Sequence, residues 1–221
     1  VSAVAFSNDG TQIATGSLRP ENRIVLWDAE TGDIIQQFDG HEDGLSAIVF
    51  TNDDETIISG AQDDAVFIWS LDGGDPAIIE AHTDTVSDIA LSADNSLLAT
   101  ASFDNTINIW DVATGNLQLT LDGHTASVSG VDFNSDASLV ISVSADNSIR
   151  IWDVATGAQL REIVAPASVT SVKFGADDQT AITGHNDGVV RTWVAQPLTL
   201  EELIGLANSQ RYVRDFTEDE L

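Results

Sequence analysis

The sequence has no cysteine, no methionine and a single lysine, Lys173, in 221 residues. Without thiols there is no disulfide and no thiolate metal site. No run approaches the roughly 18 apolar residues that cross a bilayer, so membrane insertion is not expected. No basic and apolar leader opens the chain. The first residue is Val1, not methionine, so the sequence reads as a fragment or a processed product. Basic residues are scarce: 8 Lys+Arg stand against 36 Asp+Glu, a formal net charge of −28. Such a chain repels nucleic acid and has no basic stripe to bind one. Anionic membrane surfaces are disfavoured for the same reason. The acidity fits solubility or a saline habitat, and it also favours a basic partner or cations. Heat-adapted chains enrich lysine together with glutamate, which one lysine contradicts. The expectation is a soluble protein, cytoplasmic or else secreted or at a surface.

What is present is a ruler. The five tryptophans fall at 27, 69, 110, 152 and 193, at intervals of 42, 41, 42 and 41. Within the unit that ends at Trp110, Asp104 stands six residues earlier, Thr100 ten and His82 twenty-eight. A period of about 40–45 residues with a Trp-Asp close is the mark of a propeller repeat. On these residues the chain resembles the WD-repeat (WD40-type) family, as an array of near-identical repeats of bacterial type running from Val1 to about Val194.

The first repeat shows how one unit folds. Val1–Phe6 alternates apolar residues as a half-buried strand does. Ser7-Asn8-Asp9-Gly10 offers the residues that tolerate positive φ in a tight hairpin. Strands over 13–17 and 24–28 follow, then Thr31-Gly32 turns the chain into a fourth over 34–38. Four strands on short turns make one antiparallel blade. Thr15 to Trp27 is twelve residues where the sister repeats have ten, so a two-residue insertion lies within Leu18–Asn22. The turns Asp28–Gly32, Asp111–Gly115 and Asp153–Gly157 are near-copies, and Ser70-Leu-Asp-Gly-Gly74 departs from them.

The expected fold is therefore an all-β propeller of four-stranded antiparallel blades, five of them present at 1–40, 41–81, 82–123, 124–164 and 165–195, the last turning helical where its fourth strand is due. Residues 196–221 change character. Pro197 ends the strand, and Leu198–Ala207 has helical spacing with Thr199 and Glu202 as a capping box; Thr217 starts a second candidate helix. The resemblance implies that the final blade is completed by an N-terminal strand, which this chain lacks. Five consecutive blades of a larger ring, most simply seven, are expected, with further blades or a subunit closing it.

The resemblance also implies a hydrogen-bonded tetrad in each blade. It maps to His41, Ser59, Asp63 and Trp69; to His82, Thr100, Asp104 and Trp110; and to His124, Ser142, Asp146 and Trp152. The chemistry is self-consistent, since indole only donates, carboxylate only accepts, and imidazole and hydroxyl do both. A Ser-His-Asp set invites a nucleophile reading, but one copy per repeat is a building device. Repeat five keeps Thr183, Asp187 and Trp193 but carries Ala165 in place of the histidine, so its set reads as broken and its blade as the softest. Repeat one has Thr15 and Trp27, with Glu21 where the aspartate falls. Acidic hairpins at Asp9, Asp53, Asp94, Asp136 and Asp177 match no complete Ca²⁺ loop, and no cofactor or metal is expected.

The functional expectation is a non-enzymatic scaffold that binds a protein or peptide on the top face, a basic one fitting the acidity of the chain. The resemblance leaves two alternatives: the sensor or regulatory propeller of a larger bacterial signalling or defence protein, and a structural or surface-assembly protein. Asp43 and Asp84 follow the histidine positions, and Gln62, Phe103 and Asn186 precede the aspartates, which gathers them on one face. Phe103 is the only aromatic at its position, and carboxylates beside an exposed aromatic suit a basic anchor. His185, off the repeat pattern, is a candidate contact on the same face.

Overall fold

In the computed structural model, residues 1–195 are described; the tail with its expected helices at Thr199 and Thr217 lies outside them. The first sheet holds β1 (Ala3–Phe6), β2 (Gln12–Gly16), β3 (Arg23–Asp28) and β4 (Ile34–Asp39). The second holds β5 (Leu45–Phe50), β6 (Thr56–Ala61), β7 (Ala65–Ser70) and β8 (Ala77–Glu80). The third holds β9 (Val86–Leu91), β10 (Leu97–Ser102), β11 (Ile107–Asp111) and β12 (Leu117–Leu121). The fourth holds β13 (Val128–Phe133), β14 (Leu139–Ser144), β15 (Ser148–Asp153) and β16 (Gln159–Val164). The fifth holds β17 (Val169–Phe174), β18 (Thr180–His185) and β19 (Val190–Val194). Every pairing is antiparallel between sequential strands, and the innermost strands β1, β5, β9, β13 and β17 lie side by side in that order. This is the all-β propeller-blade architecture that the repeats imply.

Burial follows position within the blade. The second strands β6, β10 and β14 read as near-continuous apolar or small residues, and all but their first residues are buried, because a neighbouring sheet covers each face. The outer strand β16 alternates between partly and fully exposed residues, since only one face has cover. Ile58 of the second sheet packs with Val86 and Ile89 of the third, and Ile141 of the fourth with Val169 and Val172 of the fifth. Fully burying such a side chain contributes about 1.5–3 kcal/mol. The joint is tight enough to require Gly60, where a Cβ would sit 2.7 Å from Val86.

Polar clips align these joints. Ser87 Oγ donates to Val128 O at 2.6 Å and Ser129 Oγ to Val169 O at 2.6 Å, each reaching the next sheet's innermost strand. Asp88 accepts from Val131 N at 3.0 Å and Asp132 from Phe174 N at 2.8 Å in the same sense. At the hairpins between first and second strands, Asp54, Asn95, Ala137 and Asp178 share a left-handed backbone, with φ of 57°, 62°, 57° and 53°. Three of these side chains reach back one sheet: Asp54 accepts from Asn8 N at 2.7 Å, Asn95 from Asn52 N at 3.1 Å and Asp178 from Ser135 N at 3.0 Å.

Ala137 has the strained backbone without the compensating bond. Replacing Ala137 with Asn supplies a residue that tolerates φ > 0 and an acceptor for the hairpin of the third sheet. The expected gain is about 1 kcal/mol, a rise in Tm of a few degrees. A calorimetric Tm at or below that of the parent chain would contradict this account of the joint.

Candidate functional site: the blade relays and the mouth between them

The tetrads form where their spacing puts them. In the second sheet, Trp69 Nε1 donates to Ser59 Oγ at 2.8 Å, Ser59 Oγ meets His41 Nε2 at 2.8 Å, and His41 Nδ1 lies 2.8 Å from Asp63 Oδ2. In the third, the corresponding distances through Trp110, Thr100, His82 and Asp104 are 3.0, 2.7 and 3.0 Å. In the fourth, through Trp152, Ser142, His124 and Asp146, they are 2.8, 2.8 and 3.0 Å. The carboxylate can only accept, so Nδ1 carries a proton, and Nε2 is left to pair with the hydroxyl. Ser59, Thr100 and Ser142 are 0% exposed. Buried and already held between an indole and an imidazole, they give a substrate no access.

The carboxylates hold further donors. Asp104 takes Thr106 Oγ1 at 2.7 Å, Thr106 N at 3.0 Å and Thr83 N at 3.2 Å. Burial pushes the Asp104 carboxyl up, but these hydrogen bonds together outweigh it and hold it below the usual range. The same opposition, with burial against bonds from Ser148, Thr125 N and His124, leaves Asp146 well below that range. Burial lowers His124 against the pull of Asp146, in keeping with a neutral ring.

The fifth sheet corrects the sequence reading. His185 is buried, 6% exposed, and is not a surface contact. It sits two residues after Thr183, where Ser102 and Ser144 stand in the third and fourth sheets. Those serines donate to Asp84 O and Ala126 O, each at 2.9 Å, and His185 Nδ1 reaches Ala167 O at 3.2 Å in the same way. Its Nε2 meets Thr183 Oγ1 at 2.8 Å, and Trp193 Nε1 donates to that oxygen at 2.7 Å. One imidazole thus does the work of the missing histidine and of the serine. Asp187 is released to pair with Arg191 at the surface, at 2.6 Å.

The face residues separate. Gln62 and Phe103 come together in one hollow of about 400 Å³, lined also by Ser46, Thr85, Ser87 and Ser129. Phe103 is 46% exposed there. Asp84 is exposed, with Oδ1 accepting from Thr85 N at 2.7 Å. Asn186 is exposed on the fifth sheet, and none of the hollow's lining comes from that sheet. Asp43 is not free: the guanidinium of Arg19, on the inserted loop, grips both its oxygens. Asn22 of the same loop donates to Glu42 O at 2.9 Å, so the insertion straps the next sheet's first loop. The lining serines were not anticipated, although Ser46, Ser87 and Ser129 recur with the tryptophan period and were legible by it.

The hairpin carboxylates are engaged locally. Asp94 takes Ser92 Oγ at 2.7 Å and Ser96 Oγ at 2.7 Å, and Asp53, Asp136 and Asp177 hold hydroxyl or amide donors likewise. No group of three or more metal-ligating side chains occurs among the described residues, and no helix there is long and apolar enough to cross a membrane.

The family described as "WD domain, G-beta repeat" matches residues 1–28, 32–70, 75–111, 115–153 and 157–193. Among curated proteins, the chain is similar to Protein ROOT INITIATION DEFECTIVE 3 of Arabidopsis thaliana, 34% identical over 71 residues, which are 32% of this chain and 16% of that protein. It is similar to Pre-rRNA-processing protein IPI3 of Mycosarcoma maydis, 34% identical over 73 residues, 33% of this chain and 12% of that one. It is also similar to Intraflagellar transport protein 122 homolog of Xenopus tropicalis, 33% identical over 67 residues, 30% of this chain and 5% of that one. The matched stretch is thus less than a fifth of each of these relatives.

The relays set a stability ranking. Asp104→Ala strands the His82 and Thr106 donors and costs roughly 1–3 kcal/mol. His185→Ala leaves Ala167 O and the Thr183 hydroxyl short of a partner and also lowers Tm. Asp187→Ala, which removes a surface pair and one exposed bond from Val189 N, shifts it least. Because the folded carboxyl of Asp104 is depressed, its contribution is present above the unfolded value near 4 and lost as pH falls through the folded one. The Tm gap between the parent and Asp104→Ala therefore narrows in acid. Equal shifts for Asp104→Ala and Asp187→Ala at neutral pH would refute the ranking.

Proposed function

The chain belongs to the WD40 repeat family, and we propose that it is a non-enzymatic scaffold that binds a protein or peptide over the mouth lined by Phe103. The hollow between Gln62, Phe103 and three serines is the observation that carries this reading. Ser87 and Ser129 spend their hydroxyl hydrogens on Val128 O and Val169 O, and Ser46 does the same with Val86 O. What their oxygens keep for a ligand is lone pairs. An acceptor-rich hollow beside an exposed aromatic suits a basic side chain, which brings donors and a cation for the ring face. The net charge of −28 steers such a partner in.

The surface away from the mouth supports a second element of the proposal, that further blades or a subunit cover the two end sheets. Phe50 and Phe133 are each 7% exposed, packed at blade joints, whereas Phe6 at the same position of the first sheet is 63% exposed. Ile141 of the fourth sheet is 0% exposed, whereas Ile182 at the same position of the fifth is 44% exposed. Such faces are covered in a ring, most simply of seven blades, or in a larger signalling or assembly protein. Alone, the 221-residue chain is expected to self-associate with rising concentration, and Phe6→Ser with Ile182→Ser to abolish this. Light scattering that finds the parent chain monomeric throughout would count against covered end faces.

For the mouth, Phe103→Ser is expected to reduce recovery of the native partner at least tenfold without a matching loss of Tm. Glu55→Gln, on the opposite hairpins, leaves recovery unchanged. Retention of the partner by Phe103→Ser together with its loss by Glu55→Gln would move the binding face to the other side.

A further inference from the structure

A second surface lies on the outer side of the joint between the first and second sheets, with a lining distinct from that of the mouth. A groove of about 710 Å³ opens there, with Phe67 in its floor, Ile78 on its flank, and Glu42, Asp64, Asp75 and Glu80 around it. Its apolar lining is a departure from the repeat. Phe67 pairs with Ile78 across β7 and β8. The same cross-strand position holds Val25 with Gln37, Asn108 with Thr120, and Arg150 with Glu162 in the other four-stranded sheets. Each of those outer-strand partners is polar, as suits a strand that faces water on this side. Ile78 is instead 58% exposed.

The backbone departs at the same place. The outer strands of the first, third and fourth sheets each enter through a bulge beside the tryptophan, after an Asp-x-x-Thr-Gly turn. The second sheet has no such bulge, and its turn uses Gly73 and Gly74 at φ of 98° and 105°. The outer strand β8 is then only four residues long. The groove's charge is one-sided. No lysine or arginine lines it. Asp64 takes the left-handed hairpin position that Asn105, Asn147 and Gly188 fill elsewhere, with φ of 67°. Burial and the like charges of Asp84, Asp63 and Asp104 push its carboxyl up, so an approaching cation would relieve repulsion there.

We infer that this groove is a second docking site, for a basic segment of a protein partner that lays an aliphatic side chain on Phe67 and Ile78 between arginines or lysines. Phe67 is 6% exposed and stacks on His41 with ring centroids 4.1 Å apart, so the floor is rigid and already built. Apolar area at the centre supplies binding and the carboxylate rim supplies steering, the division found in specific interfaces. The groove shares no lining residue with the mouth, so the two can hold different parts of one partner.

The test uses the full chain and two labelled peptides of equal charge, one alternating arginine with leucine and one alternating arginine with glycine, by fluorescence anisotropy at physiological salt. The leucine peptide is expected to bind at least fivefold more tightly than the glycine one. Ile78→Ser is expected to erase that difference. Asp64→Asn with Glu80→Gln is expected to weaken the leucine peptide at least fivefold, and Glu30→Gln with Asp33→Asn, an equal charge change on the first sheet's outer turn, less than twofold. Phe103→Ser, at the mouth, leaves this binding unchanged. Equal weakening by the two charge pairs, or equal binding of the two peptides, would overturn the inference and leave only diffuse attraction to an acidic surface. A response to Phe103→Ser alone would place the peptide at the mouth instead.

Discussion

The structure depends on a hydroxyl that no water reaches. Ser59, Thr100, Ser142 and Thr183 each accept an indole N–H from the third strand and meet an imidazole from the top of the blade. In the second, third and fourth sheets two strands and a loop are pinned at one oxygen. Because the oxygen is buried, losing any partner leaves a donor or acceptor with nothing to replace it. That penalty makes the relay specific as well as stabilising, and the fifth sheet shows how far it extends. With Ala165 in place of the histidine, an imidazole arrives from His185 instead, from the end of the second strand and not from the loop before the first, and in the same chemical sense. The constraint is on the hydrogen-bond pattern, and the sequence position that meets it is free to change.

Once each blade is rigid, the joints between blades decide the assembly. Second strands are covered on both faces, so their apolar residues come in runs, while outer strands face water and alternate. Apolar packing is indifferent to small slides, so direction and register need polar contacts. The serine and aspartate clips of the innermost strands and the left-handed hairpin caps provide them, each reaching from one sheet to its neighbour. The end sheets have the same apolar faces without the same cover, and in them Phe6 and Ile182 are exposed.

Function is then expected where repeats differ. The repeated positions are committed to relays, clips and cores. Phe103, the Phe67–Ile78 pair and the inserted loop that ties Arg19 to Asp43 are each present once. The loop removes one acidic side chain from the face, and the two apolar departures create concave surfaces in an acidic field. Phe103 and the Phe67–Ile78 pair line different hollows, which share no residue.

The tryptophan period and the spacing of His, Ser or Thr, Asp and Trp were enough to read the strands, the blades and three relays, because these rest on local hairpins and fixed distances along one repeat. The mouth was half legible: Phe103 and Gln62 could be placed on one face by alignment of repeats, and the serines recur with the tryptophan period, but that all of them face one hollow showed only once the innermost strands stood side by side. His185 was misread as exposed, because a linear pattern shows that a histidine is missing from its usual place and not that another fills the same space. Asp43 was read as free, since its neutralisation depends on an arginine from a different blade. The sequence by itself determined the repeat, the strands and the donors and acceptors of each relay, all of them short-range in the chain. Only the tertiary structure decided which carboxylates stay unpaired and which apolar side chains stay exposed, because both depend on what a neighbouring sheet brings within a few ångströms.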